Sequence, residues 1–266
     1  MVTKNREDWL HVSGPISGAT LVLVHGAVLG RQMWQTQISA FEREFQVVAP
    51  DLPGHGVLRG QAFSIDSAVK QLATLRDAVG FESAIWVGVS MGGFLTLALA
   101  RRHPEQVAGL VLSGCSMPMK GPTRLWIKFV VAPLMAHLDV GLVRRRMAAR
   151  IRTLFGPQQR TVAEATIQAG FAIQPAATFF HEAVDFDFRE GLRGFRPPVL
   201  ILNGKRDGPS CRGAAGLAAV FTQAEVETVE RAGHACSVEQ PEAFAASVLH
   251  FAQRTFSKSR SVSSVP

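Results

Sequence analysis

Residues 84–93 read Ala84-Ile85-Trp86-Val87-Gly88-Val89-Ser90-Met91-Gly92-Gly93, and what this stretch can fold into decides the architecture. A β-rich run of six residues, 84–89, meets the helix-forming segment 91–102 (MGGFLTLALARR) with no room for an ordinary loop. Ser90 must then occupy a sharp strand-to-helix turn. Gly88 and Gly92 remove side chains that would collide there, and Gly93 lets the helix pack closely on the strand. The helix is apolar nearly all round, as expected beside a central strand. The Ser90 hydroxyl points out at the carboxyl edge of the sheet, next to a helix N-terminus where developing negative charge is favoured. Gly-x-Ser-x-Gly alone also fits a glycine-rich turn with an incidental serine, since the chain holds 24 glycines. Its strand and helix context favours the nucleophile.

Outward from this turn, strand-like and helical runs alternate, the pattern of a mostly parallel sheet covered by helices. The predicted strands are 20–25, 46–49, 84–89, 107–113, 199–203 and 224–229. Ile65, Val69, Leu72, Leu75 and Val79 recur with helical spacing, Ser64 is placed to cap that helix and Gly80 to end it. Only Trp9 to Val12 offers a strand before Thr20, so a leading antiparallel hairpin is cut down or missing. The alternation breaks over 117–195, which has helical patterns and no clear strand. The expected organisation is a core of residues 1–116 and 196–257, a helical lid over 117–195, and a polar, disordered tail over 258–266.

Two further polar residues follow apolar strands. Asp207 comes after the strand 199–203 and a Gly204-Lys205-Arg206 turn, and His234 follows the strand 224–229 in Arg231-Ala232-Gly233-His234. Both lie at carboxyl ends of strands, the edge where open α/β sheets place their sites. Singly, such an Asp is most often a turn residue and such a His structural. Together with Ser90, in the order Ser, Asp, His, they match a nucleophile activated by an imidazole that a carboxylate orients. His25-Gly26-Ala27 ends the first strong strand. An acyl-transfer site needs two backbone N–H groups aimed at the oxyanion; Met91, after the nucleophile, and Ala27 are the natural donors. The His25 side chain reads as a brace for that loop.

The segments 21–30 (LVLVHGAVLG), 49–56 (APDLPGHG), 88–93 (GVSMGG), 200–207 (LILNGKRD) and 232–244 (AGHACSVEQPEAF) together resemble the α/β-hydrolase superfamily, in its order and over most of residues 9–256. The resemblance, closest in kind to lidded esterases and lactonases, implies Ser90 as nucleophile, His234 as base and Asp207 as its acid partner. It also implies that 51–56 is a structural turn, so Asp51 and His55 are not catalytic. Dehalogenases and epoxide hydrolases of the superfamily carry Asp at the elbow, and Ser90 speaks against both. Two places depart from the family pattern. Val57 and Leu58 follow the glycines at 54–56 where a serine is usual, and Cys211 stands where a proline is common four residues past the acid.

The chain has 266 residues, 47% of them hydrophobic and 18% charged, which fits a folded domain with a buried core. Its 28 Lys and Arg against 21 Asp and Glu give a net charge of +7, without the basic runs and interleaved aromatics that nucleic-acid binding favours. Cys115, Cys211 and Cys236 form no CxxC, so neither a disulfide framework nor a metal site is expected, and no cofactor is implied. The polar N-terminus lacks the core of a signal peptide, and the apolar stretch 125–138 is too short to span a bilayer. A cytoplasmic protein without stable membrane insertion is expected.

Within the lid, Val140, Val143, Met147, Ile151 and Leu154 recur with helical spacing, so Arg144, Arg145, Arg146 and Arg150 lie on an amphipathic helix. They read as a solvated face or as a docking surface for an acidic acyl carrier; some superfamily esterases act on carrier-bound esters. Trp126, Phe129, Phe155, Phe171, Phe179 and Phe180 make the lid rich in aromatics; most fill its own core and a minority line an acyl pocket. Trp34, Trp126 and Phe129 are the candidate substrate contacts. The expected activity is cofactor-independent hydrolysis of a small, largely apolar carboxylic ester, lactone or thioester through an acyl-enzyme. C–C bond hydrolysis, perhydrolysis and acyl transfer can use the same triad, and a non-catalytic binding module the same fold.

Overall fold

The computed structural model describes residues 8–16, 19–116, 122–137 and 140–262. The chain runs through β1 (Leu10–Ser13), β2 (Thr20–Val24), α1 (Gln35–Phe41), β3 (Gln46–Pro50), α2 (Ile65–Val79), β4 (Ala84–Val89), α3 (Met91–Arg102) and β5 (Val107–Ser113). A helical insert follows, with α4 (Pro122–Trp126), π-helical turns at Ile127–Val131, α5 (Ala132–His137), α6 (Val140–Phe155), α7 (Arg160–Ala169) and α8 (Ile173–Ala183). The chain returns through β6 (Val199–Gly204), α9 (Gly208–Ala218), β7 (Ala224–Val229), α10 (Cys236–Glu239) and α11 (Pro241–Val262).

Strands β2, β3, β4 and β6 are buried at every residue, and such strands need cover on both faces. The sheet order is β1-β3-β2-β4-β5-β6-β7, parallel except for β1, which pairs antiparallel with β3 at the edge. One short strand thus stands where a leading hairpin was in question. Alternation along β2 divides the core. Val22 and Val24 pack with residues of α2, α3 and α9, whereas Leu21 and Leu23 pack with residues of α1 and α11. Ser64 and Ser67 exchange hydrogen bonds at the start of α2, and Gly80 ends it at φ 85°.

The tail departs from expectation. Helix α11 continues to Val262, past the last periodic apolar residue, Phe256, so residues 258–262 are helical and only 263–266 fall outside the described residues. Once a helix is nucleated each further residue adds a backbone bond, and 257–262 holds no Gly or Pro to stop it. Residues 117–121 and 138–139 of the expected lid also lie outside the described residues. No helix among the described residues is long and apolar enough to cross a membrane.

Candidate active site

The chain leaves β2 toward β3 on one side of the sheet and reaches β4 on the other. The neighbouring carboxyl ends of β2 and β4 therefore feed connections that diverge, and a crevice opens between them. Ser90 stands there alone between β4 and α3, at φ 55° and ψ −118°. An L-residue holds such a conformation only where its surroundings impose it. Its N–H donates to the Ser113 carbonyl at the end of β5 (2.7 Å), and its carbonyl accepts the Phe94 N–H (3.2 Å). A Cβ on Gly88 would sit 2.5 Å from the Gly92 carbonyl oxygen, and one on Gly92 would run into the Val24 carbonyl. The first turn of α3 can press on the strand ends only because both positions are glycine.

The three residues singled out at strand ends converge. His234 Nε2 lies 3.1 Å from Ser90 Oγ, and His234 Nδ1 lies 2.8 Å from Asp207 Oδ2. A carboxylate at Nδ1 fixes the proton there, which leaves Nε2 to accept the Ser90 proton. Asp207 is buried and caps α9, with Oδ1 accepting the Ser210 N–H at 3.4 Å. Burial pushes its carboxyl up, but the hydrogen bonds from His234 and Ser210 outweigh that and hold it below the ordinary carboxylate value. Cys211, at the place where a proline is common in the superfamily, continues α9 without disturbing this contact; its thiol donates to the Gly204 carbonyl (3.4 Å). Glu239 completes the frame: its carboxylate accepts the N–H of Gly233 (3.0 Å) and of Ala235 (3.3 Å), one on each side of His234. Cys236, two residues past His234, is no rival nucleophile, because burial pushes its thiol up to about 11.

The loop after β2 is braced from below. His25 is buried, with Nδ1 donating to the Gly26 carbonyl (2.9 Å) and Nε2 accepting the Leu52 N–H (3.1 Å), the bracing role read from the sequence. Buried Asp51 accepts from Arg31, through its N–H (2.8 Å) and its guanidinium, and from the Val57 N–H (3.2 Å), which ties the loop to the turn after β3. Val28, beside Ala27, is held at φ 64°, and its carbonyl accepts the Ala172 N–H from the helical insert (2.9 Å). The Met91 N–H, in the first turn of α3, has no intrahelical partner. Ala27 lines the same cavity as Ser90.

That cavity, about 370 Å³, is walled by Ala27, Met33, Ser90, Met147, Phe155, Phe180, His234 and Val238 among others. Its lining is apolar except for Ser90, His234 and one cation, Arg150. The three aromatics expected as substrate contacts do not line it. Trp34 is fully buried against Phe244, and its neighbour Met33 faces the cavity instead. Trp126 and Phe129 are 60% and 68% exposed, on the outer side of their helical stretch. Phe155 and Phe180, among the aromatics expected to fill the insert's core or its pocket, form the wall. Arg150 faces the cavity where a solvated or docking face was read, because it stands on α6 one turn before Leu154, which also lines it. Among the described residues, no group of three or more His, Cys, Asp and Glu could hold a metal ion.

Residues 21–247 match the model of the alpha/beta hydrolase family. The chain belongs to this family. It is 31% identical over 241 residues to a pimeloyl-[acyl-carrier protein] methyl ester esterase of Aromatoleum aromaticum, covering 84% of this chain and 93% of that one. A protein of the same name from Pectobacterium carotovorum is 29% identical over 251 residues, covering 88% and 94%. Among solved structures, a thermophilic esterase from Thermogutta terrifontis superposes with a TM-score of 0.76 at 25% identity, covering 92% and 93%. This alpha/beta hydrolase is a carboxylic ester hydrolase.

Proposed function

We propose that Ser90, His234 and Asp207 carry the hydrolysis of an apolar acyl ester through an acyl-enzyme, and that the ester is presented by an acidic acyl-carrier protein. The observation that carries the catalytic half is the chain of contacts from Ser90 Oγ to His234 to Asp207 at the floor of an apolar cavity. Ser90 Oγ attacks the carbonyl carbon while its proton passes to His234 Nε2. The Met91 and Ala27 amides hold the resulting oxyanion. Collapse expels the alcohol, which takes the proton from His234, and leaves the acyl group on Ser90. Water, deprotonated by the same nitrogen, then releases the carboxylic acid and restores the serine. Asp207 keeps the imidazole in the required tautomer and offsets its charge during each transfer.

The carrier half rests on α6. Arg144, Arg145 and Arg146 are exposed, and none forms an ion pair among the described residues, although Arg152 on the same helix pairs with Glu164. Unpaired like charges at successive exposed positions of α6 repel, and an acidic partner would relieve that. The names of the carotovorum and aromaticum relatives support the same reading. The helical insert over 117–195 is then the lid that carries both the acyl wall and the docking face. Three unpaired cysteines fit a reducing, cytoplasmic setting.

Labelling with a fluorophosphonate probe and turnover of p-nitrophenyl esters test the catalytic half. The wild type should label at Ser90, and Ser90→Ala should lose both labelling and about 10⁴-fold or more of kcat with its thermal midpoint nearly unchanged. A Ser90→Ala protein that keeps most of its turnover would remove the whole assignment.

A further inference from the structure

We propose that Asn203 is a positioning residue for the triad, its carboxamide holding the seat of His234 and the support of Asp207 in one fixed relation. The inference rests on the triad reading above. Asn203 lies next to last in β6, in an otherwise apolar strand, and is fully buried. Its Oδ1 accepts the Gly114 N–H just past β5 (2.9 Å). Its Nδ2 donates to Ser116 Oγ (3.1 Å) and to the Ser210 carbonyl in the first turn of α9 (3.4 Å).

Two of the three partners, Gly114 and Ser210, touch the reacting side chains. Gly114, at φ 65°, lies under the His234 ring so closely that a Cβ there would sit 2.9 Å from Cε1 and 3.2 Å from Nδ1. The Gly114 peptide is therefore the surface on which the imidazole rests, and Asn203 Oδ1 holds that peptide. Ser210 donates its N–H to Asp207 Oδ1 while its carbonyl accepts from Asn203, so the amide sets where the cap of α9 presents Asp207 Oδ2. Ser113, one residue before Gly114, accepts the Ser90 N–H. The end of β6, the segment just past β5 and the first turn of α9 thus meet around one planar group that supplies an acceptor and two donors at once. An aspartate has the acceptor and no donor, and a leucine has neither. The orientation of the amide is fixed by its partners, since reversing it would set an NH₂ group against the Gly114 N–H.

Positioning and mere support of the fold make different predictions for turnover by folded enzyme. If Asn203 only filled buried hydrogen-bonding groups, its loss would lower the thermal midpoint and leave kcat per labelled site unchanged. As a positioning residue it should act on kcat with KM nearly constant, because the cavity that binds the acyl chain is lined by other residues. An ångström of misplacement is enough to cost about 10²-fold in rate. The test compares wild type, Asn203→Asp, Asn203→Leu and Ser116→Ala on a p-nitrophenyl ester below their thermal midpoints, with active sites counted by fluorophosphonate labelling. Asn203→Leu should lose about 10²-fold in kcat per site, and Asn203→Asp, which keeps the acceptor for Gly114, should lose less; KM should stay within about twofold. Ser116→Ala removes a single bond of the network and should lower kcat severalfold, which decides the matter if both Asn203 variants fail to fold. Turnover per site within twofold of wild type, in either folded Asn203 variant or in Ser116→Ala when neither folds, overturns the proposal. Failure of the wild type to label at Ser90 would instead overturn the triad reading beneath it.

Discussion

Ser90 is held at φ 55° by a hydrogen bond from its N–H to Ser113 and by the glycines on either side, so its hydroxyl stands where His234 can reach it. The weaker link in such a chain is the carboxylate, whose effect passes through the imidazole. In Asp207→Asn, an amide NH₂ in place of Oδ2 would face Nδ1 and drive the proton to Nε2, so the ring could no longer accept from Ser90. The expected loss in kcat is on the order of 10⁴-fold, as in the serine-protease precedent, with KM little changed. Steady-state kinetics on a soluble ester measure it, and near-normal turnover would require another carboxylate. Asp185 is ill placed for that, being exposed and paired with Arg124 and Lys128. Ser90, Asp207 and His234 were legible in the sequence because each is a polar residue that closes an apolar strand, and parallel strands bring such ends to one edge. Trp34, Trp126 and Phe129 fall outside the cavity lining, which the sequence did not reveal because whether an aromatic on a helix meets a cavity, a core or water depends on a rotation of one residue, as the adjacent pair Met33 and Trp34 shows. Asn203 carried a signal of its own, a lone amide inside VLILNG, whose meaning needed its three partners.

At the scale of elements, the helical insert touches the proposed chemistry in two ways. Its Ala172 N–H bonds the Val28 carbonyl in the loop that offers the Ala27 amide, and α6 contributes Met147, Arg150, Ile151, Leu154 and Phe155 to the acyl wall. The amphipathic pattern of α6 was legible, and its apolar positions do face inward: Ile151 and Phe155 are buried, and Val143, Met147 and Leu154 pack beside them. The backbone bridge at Val28 was not legible, since a main-chain contact between residues 144 positions apart leaves no side-chain trace. The outer face of α6 is where carrier docking can be tested apart from chemistry. Arg144→Glu with Arg145→Glu replaces two unpaired cations by anions away from the cavity lining. Stability should change by only about 0.5 kcal/mol, and kcat/KM on small soluble esters should hold. On an ester borne by an acyl-carrier protein at low salt, kcat/KM should fall, and the difference from wild type should shrink as salt screens the encounter. Equal rates on the carrier-borne ester at low salt would remove the docking surface and leave the esterase intact.

Across the whole molecule, the two loops that frame the site, after β2 and after β3, meet through a pair of buried histidines. The rings of His25 and His55 lie with centroids 4.8 Å apart, and His55 packs in turn on Phe63. Burial, with the Arg31 charge and against the bond to Gly26, pushes His25 down to about 4. Burial and the neighbouring His25 push His55 down to about 3, despite its bond to the Pro53 carbonyl and the nearby Asp51 carboxylate. Both are neutral in the folded chain through the range in which free imidazoles, with values near 6.5, take up a proton. Above pH 6.5 neither the folded nor the unfolded chain is protonated at these positions, and stability from this source is level. As pH falls from 6.5 toward 4 the unfolded chain binds protons that the folded chain refuses, so stability declines by up to about 1.4 kcal/mol per pH unit for each ring. Half-buried His11, lowered mainly by burial, adds in the same direction. The lowered carboxyls of Asp207 and of the paired, exposed Asp66, Glu164 and Asp185 lose their contribution only further down, below their ordinary values of 3.8 to 4.5. Urea midpoints measured from pH 8 to 4.5 should therefore be flat above about 6.5 and fall steeply below it, with close to two protons taken up on unfolding near pH 5. His55→Asn keeps a donor for the Pro53 carbonyl and removes one titrating ring, so its slope between pH 6 and 4.5 should be shallower by about one proton. A wild-type profile that stays flat down to pH 4.5 would mean that these rings accept protons in the folded state, contrary to their burial.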